Sequence, residues 1–145
     1  MKYFTLFTFL LMTLPLAALS PVNKSKLGSL AIKGYDPVSY FADSNAQKGS
    51  KDFELEHEGA KYRFSSQEHL DQFKANPEAY TPQFGGYCAW AVSQGYTANI
   101  DPKAWKIVDG KLYLNFNKSV QAKWEKDAQA LIAKGNTNWP KLLSE

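Results

Sequence analysis

Four side chains carry most of the reactive chemistry in this sequence: Cys88, the only cysteine, His57 and His69, the only histidines, and Asp36. A solitary thiol has no partner for an intrachain disulfide, which leaves it as a ligand, a nucleophile or a small apolar residue in a core. It sits in GGYCAWAVSQG (Gly85 to Gly95), where Tyr87, Ala89 and Trp90 suggest a packed segment. The preceding Gly85-Gly86 permits positive φ or close backbone approach, which suits either a ligand pocket or a tight bend. As ligands, His57, His69 and Cys88 would make a His₂Cys set of the kind copper takes, provided the fold gathers them round one ion. A nucleophilic thiol would make the chain a thiol-dependent enzyme, which needs a base oriented within hydrogen-bond reach. Both histidines lie upstream of Cys88, and neither stands in a matching catalytic motif. Asp36 precedes Pro37, so its side chain either caps that turn or supports a metal site as an acid.

Other chemistries lack their signatures. No pair of acids has glycosidase character, no glycine-rich loop opens a helix as a phosphate cradle does, and no serine lies in a nucleophile elbow. The aromatics Tyr35, Tyr40, Tyr62, Phe64, Phe84, Tyr87, Trp90 and Trp105 cluster around the distinctive segments. They serve either as core or as a cup for a flat or apolar small molecule. In the second case Tyr40, Tyr62, Tyr87 and Trp90 are the candidate pocket residues, the tyrosines supplying polar tips.

The elements that must position these groups can be read from pattern. GYDPVSYF (Gly34 to Phe41) begins as an Asp-Pro turn and continues as a short strand. FELEHEGAKYRFSS alternates Phe53, Leu55 and His57 against Glu54 and Glu56, bends at Gly59, and returns through Tyr62 and Phe64 as a hairpin. Ser65 to Glu68 matches a capping box for a short helix carrying Leu70 and Phe73, stopped by Pro77. A second hairpin turns at Asp109-Gly110, a pair suited to the positive φ angles of a type I′ turn. Asn117 or Ser119 then caps a longer helix whose core stripe is Val120, Trp124, Ala128 and Leu131, with Gly135 as its end. No internal repeat is visible. The expected fold is α+β: two β-hairpins and a short N-terminal strand packed with one short and one longer C-terminal α-helix.

Three stretches together resemble the YHS domain family, in its longer exported bacterial branch. They are GYDPVSYF, GAKYRFSSQEHLDQFKANPEAY, and FGGYCAWAVSQG with DPKAWKIVDGKLYLNF after it, spanning roughly Gly34 to Trp139. The resemblance implies a small non-catalytic binding module for a metal ion or small ligand. Metal-associated members resemble Asp-Pro-Val-Cys followed by Phe-Cys-x-x-x-Cys, thiolates that suit copper or zinc. Here Ser39, Ser65 and His69 stand at those three cysteine positions. His69, Cys88, His57 and Asp36 are thus the candidate metal residues for copper or zinc. A structural or protein-interaction domain with a degenerate metal site is the alternative.

The first twenty residues, with early Lys2, an apolar run and small residues near Ala17, Ala18 and Ser20, read as a secretory signal peptide. Residues 21–31 read as a flexible leader, and 32–145 as the domain. The expected location is periplasmic or secreted, without stable membrane insertion. Removing Lys2 leaves 16 basic against 14 acidic residues, a net charge of +2. That small surplus has no basic, aromatic-interleaved run, so nucleic acid is not an expected partner. With no possible internal disulfide, stability must come from the aromatics, which are 14% of the chain and include four tryptophans.

Overall fold

The computed structural model describes residues 18–145. The expected signal segment falls mainly outside them. In order, the elements are α1 (Ser39–Ala42), β1 (Ser50–His57), β2 (Ala60–Phe64), α2 (Gln67–Ala75), α3 (Ala89–Ser93), β3 (Asp101–Val108), β4 (Lys111–Asn115), α4 (Lys118–Glu125) and α5 (Ala128–Ser144). β1 pairs antiparallel with β2, and β3 with β4, as two separate two-stranded sheets. The α+β architecture with two hairpins is as expected. Among the described residues, no helix is long and apolar enough to cross a membrane.

The two hairpins are built to one plan. β3 starts 51 residues after β1 (Ser50, Asp101), and β4 starts 51 after β2 (Ala60, Lys111). Both carry the same irregularity: Ser50 pairs with Phe64 and Glu54 with Arg63, while Asp101 pairs with Asn115 and Trp105 with Leu114. Both turn through an acid-glycine pair with positive φ, Glu58-Gly59 and Asp109-Gly110. That is the type I′ geometry matching the right-handed twist of the strands. Both lead into a helix capped by a side chain, Ser66 accepting from the His69 N–H and Asn117 from the Val120 N–H.

The match extends upstream. Ile32, Lys33 and Gly34 have φ of 51°, 52° and 83°; Phe84, Gly85 and Gly86, 52 positions on, have 57°, 62° and 81°. Tyr35 N–H donates to Ile32 O, and Tyr87 N–H to Phe84 O. Asp36 N–H donates to Gln47 O, and Cys88 N–H to Ala98 O. A short helix, α1 or α3, follows in each. The chain is therefore two successive copies of one turn–helix–hairpin–helix unit, closed by α5. This overturns the expectation of no repeat. The halves share backbone demands rather than side chains, so few identities survive beyond Gly34/Gly86, Tyr35/Tyr87, Gly59/Gly110 and Tyr62/Tyr113.

Each unit buries its own aromatic centre. Tyr62, Phe64 and Phe73 pack with ring centroids 4.9–5.1 Å apart in the first. Tyr113 and Trp124 lie 5.3 Å apart in the second. Phe73 and Trp124, the helix residues facing each hairpin, are both fully buried. Burying a side chain of this size is worth about 1.5–3 kcal/mol, so these contacts set the hairpin-to-helix geometry.

Four local expectations change. The stretch expected as a short strand after Asp36-Pro37 is the helical turn α1, because the Asp36 side chain accepts the Val38 and Ser39 N–H groups as a cap does. The expected leader is not loose: Val22 and Ala31 are buried, and Ala31 N–H donates to Lys61 O. The short helix α2 is capped at Ser66 rather than Ser65. The last helical region is broken at Asp127 (φ −145°, ψ 46°) and then runs through Gly135 and Pro140 to Ser144. Gly135 does not end the helix; it gives Phe84 room, since a Cβ there would lie 2.6 Å from Phe84 Cζ. Alanine gains helix propensity but forces that ring out of place, so Gly135→Ala should lower stability by about 1–3 kcal/mol. Urea denaturation checks this, with an unchanged midpoint refuting the packing role.

Candidate functional site

The candidate residues are distributed over three places. The first is a buried polar cluster on Asp36, whose side chain is fully enclosed. Asp36 Oδ1 accepts from Val38 N (2.8 Å) and Ser39 N (3.3 Å). Oδ2 accepts from Ser65 N (2.8 Å) and Ser65 Oγ (2.7 Å), and lies 2.6 Å from His69 Nδ1. Burial alone would push the Asp36 carboxyl up. Hydrogen bonds from the Ser65 backbone, His69, the Ser65 hydroxyl and the Val38 backbone outweigh it and hold the group below the usual aspartate range. An ionised carboxylate cannot donate, so His69 donates from Nδ1. Its Nε2 faces the exposed Asp43, 3.8 Å from Oδ2.

The donors of this cluster do not fit a soft metal. Asp36, with about four lone-pair sites, already takes five contacts. Ser65 Oγ is spent on Asp36. Ser39 Oγ is buried without a partner, but a hydroxyl is a poor ligand for copper or zinc. Only His69 Nε2 remains. Asp36 is thus a structural acceptor, not a metal ligand.

The second place surrounds Cys88. The sulfur is buried, and its hydrogen-bond partner is Asn115 Oδ1 at 3.6 Å, not an imidazole. Asn115 Oδ1 also accepts the Trp90 N–H at 3.1 Å. The thiol forms part of the wall of a cavity of about 240 Å³, with Trp90, Ala91, Tyr96, Ala98, Phe116 and Val120. These walls are almost wholly apolar, and Phe116 and Tyr96 are 53% and 48% exposed at its surface.

The third place holds His57. Its Nε2 is buried without a hydrogen bond, 3.8 Å from Glu58 Oε1 and 4.0 Å from Glu78 Oε1. Among the described residues this is the group of three potential ligating side chains whose ligand atoms lie within 4.8 Å of one another. Glu58 and Glu78 had no signal in the sequence beyond the turn residues beside them. The expected set of His57, His69, Cys88 and Asp36 is not gathered round one point.

The four aromatic pocket candidates also separate. The Tyr40 hydroxyl is fully buried and donates to Pro102 O at 2.7 Å, and burial raises its pKa. Tyr87 donates to Ser20 O at 2.9 Å. Tyr62 lines a different cavity, beside Glu58 and Glu78. Trp90 alone lines the Cys88 hollow.

No family model, curated protein or solved structure matches this chain.

The repeat relates the first two places. Asp36, Ser39, Ser65 and His69 correspond to Cys88, Ala91, Phe116 and Val120, at spacings of 52, 52, 51 and 51. One structural position is thus filled by a hydrogen-bonded cluster in the first unit and left as an apolar hollow in the second. In the first, Asp36 caps Val38; in the second, a thiol cannot do the same for Trp90, and Asn115 supplies the acceptor from the hairpin.

Replacing Asp36 by Asn removes the charge that five contacts share and should destabilise the fold by about 3–5 kcal/mol at pH 7. The folded carboxyl titrates below 3.8, the unfolded value. Its stabilisation is therefore complete above about pH 4 and is lost as the pH falls through the lower folded value. Urea midpoints between pH 2 and pH 7 should show the two proteins converging in acid. A constant gap across that range would refute the charged role.

Proposed function

We propose that this chain is an exported, non-catalytic YHS-type module that holds a small apolar or aromatic molecule in the Cys88 hollow. The observation that carries the reading is the open apolar cavity at the position that Asp36, Ser65 and His69 close in the first unit. Where hydrogen bonds complete the site, no ligand is needed; where Phe116, Tyr96 and Val120 stand, apolar surface stays uncovered. Filling it removes that surface from water at about 25 cal/mol per Å². A volume of about 240 Å³ accommodates a single ring with substituents. The family assignment rests on the Asp-Pro-Val, hairpin-to-helix and Gly-Gly-Tyr-Cys segments, and export on the character of residues 1–20.

Cys88 serves this reading as a polarisable wall atom. A thiol nucleophile needs a general base, and the sulfur's neighbour is an amide oxygen. The copper or zinc reading through His69 and Cys88 loses its geometry, because the two imidazoles and the thiol have different partners.

Toluene is a suitable probe. It should give saturable NMR shifts of the Ala91 and Ala98 methyl groups and slow the reaction of Cys88 with methyl methanethiosulfonate. Val120→Trp fills the hollow and should abolish both effects while the protein stays folded by circular dichroism. Toluene leaving the methyl signals unmoved in the native protein would sink the proposal.

A further inference from the structure

A second cavity, of about 340 Å³, lies between the β1–β2 turn, the 78–85 segment and α5. Its chemistry differs from that of the Cys88 hollow. Two carboxylates, Glu58 and Glu78, stand in its wall together with the rings of Tyr62, Phe84 and Trp139. No Lys, Arg or His is among its lining residues. The nearby Lys24 is engaged elsewhere, its Nζ donating to Gly59 O at 2.9 Å.

Among the described residues, no Lys or Arg pairs with either acid. Their nearest positive candidate is His57, whose Nε2 stands at 3.8 and 4.0 Å, beyond hydrogen-bond length. Tyr62 is 2% exposed and stands in the same wall as the two acids. Burial first, then the charges of Glu58 and Glu78, oppose ionisation of the Tyr62 hydroxyl and raise its pKa. The acids and the tyrosine ring line one cavity. The rings are fixed by packing on one another: Phe84 and Trp139 lie 6.2 Å apart at 62°, and Tyr87 braces Trp139 from 5.9 Å.

Aromatic faces carry negative charge density and attract cations within about 6 Å of the ring centroid, most strongly for tryptophan. Carboxylates beside such faces favour a positive group still further. A large organic cation satisfies both, because its alkyl surface is weakly hydrated and packs on rings. A small metal ion would use the carboxylates and leave the aromatic walls without a role.

We propose that this cavity binds an organic monocation of the alkylammonium class, its charge set between Glu58 and Glu78 and its alkyl groups against Trp139, Phe84 and Tyr62. The site is separate from the Cys88 hollow and does not depend on the reading given for it.

Choline and its uncharged carbon isostere 3,3-dimethylbutan-1-ol are the probes, followed through the indole N–H signal of Trp139 by NMR. Choline should shift that signal saturably, and the isostere should bind at least about tenfold more weakly, since the two differ by one charge. Glu58→Gln with Glu78→Gln should weaken choline at least about tenfold. These side chains are 62% and 78% exposed, so the thermal midpoint should hold. Trp139→Leu, which lacks the reporter and is followed by calorimetric titration instead, should weaken choline while leaving a residual preference over the isostere. Equal affinity for choline and the isostere would overturn the proposal. So would a Trp139 signal that choline does not move, including the case in which zinc alone shifts the His57 ring resonances.

Discussion

One buried carboxylate organises the first half of this protein. Asp36 joins three pieces of chain that share no continuous element: the Pro37–Ser39 turn, the end of the first hairpin at Ser65, and the first turn of α2 at His69. Desolvating a charge in this way costs several kcal/mol, and only a full complement of donors offsets it. The five contacts supply that complement. They also explain the neighbouring structure. With Ser65 drawn onto Asp36 through both N–H and hydroxyl, it is unavailable as a helix cap, and the role passes to Ser66.

The second half meets the same geometric demand by other means. Its turn–helix segment must also return over the hairpin–helix junction, but Cys88 stands where Asp36 did. Asn115, fully buried in β4, reaches across to the Trp90 N–H and the Cys88 sulfur. The exchange costs something: Asn115 Nδ2 is buried without a partner. It also removes the hydrogen-bonded filling, because Phe116 and Val120 have nothing to donate. An apolar hollow is the physical result of keeping the frame while discarding the charge.

The features readable in the sequence were those set by short-range chemistry. Asp109-Gly110 and Gly59 announced their turns because few residues tolerate positive φ. Pro77 ended a helix, and Asn117 capped one, by local hydrogen-bond arithmetic. Long-range contacts were the parts that stayed hidden. Gly135 resembled a helix terminus, and only the ring of Phe84, 51 residues away, reveals it as a packing notch. Asp36 looked like a turn cap, which it is, yet its hold on Ser65 and His69 depends on the fold. The repeat is not legible in the sequence because the two units share φ angles and pairing register, while Asn115 stands at the position of Phe64 and Val120 at that of His69. Glu58 and Glu78 showed nothing by themselves; their significance lies in standing across one cavity.

The left-handed turns that open each unit show how such a frame tolerates strain. Ile32 and Phe84 both have φ above 50°, a region that costs a residue with a side chain about 1–2 kcal/mol. Glycine would relieve the backbone at either position, as it does at Gly34 and Gly86. It would also remove a buried anchor, for Ile32 is 4% and Phe84 5% exposed. Burying such a side chain returns about 1.5–3 kcal/mol, enough to offset the backbone cost. Phe84 shows why the balance favours the ring. It packs on Tyr113 of the second hairpin, Trp139 of α5 and the bare backbone at Gly135, so one strained residue ties the turn to both. The same ring forms a wall of the acidic cavity. Its position there follows from core packing, and the carboxylates facing it are the part that packing does not require.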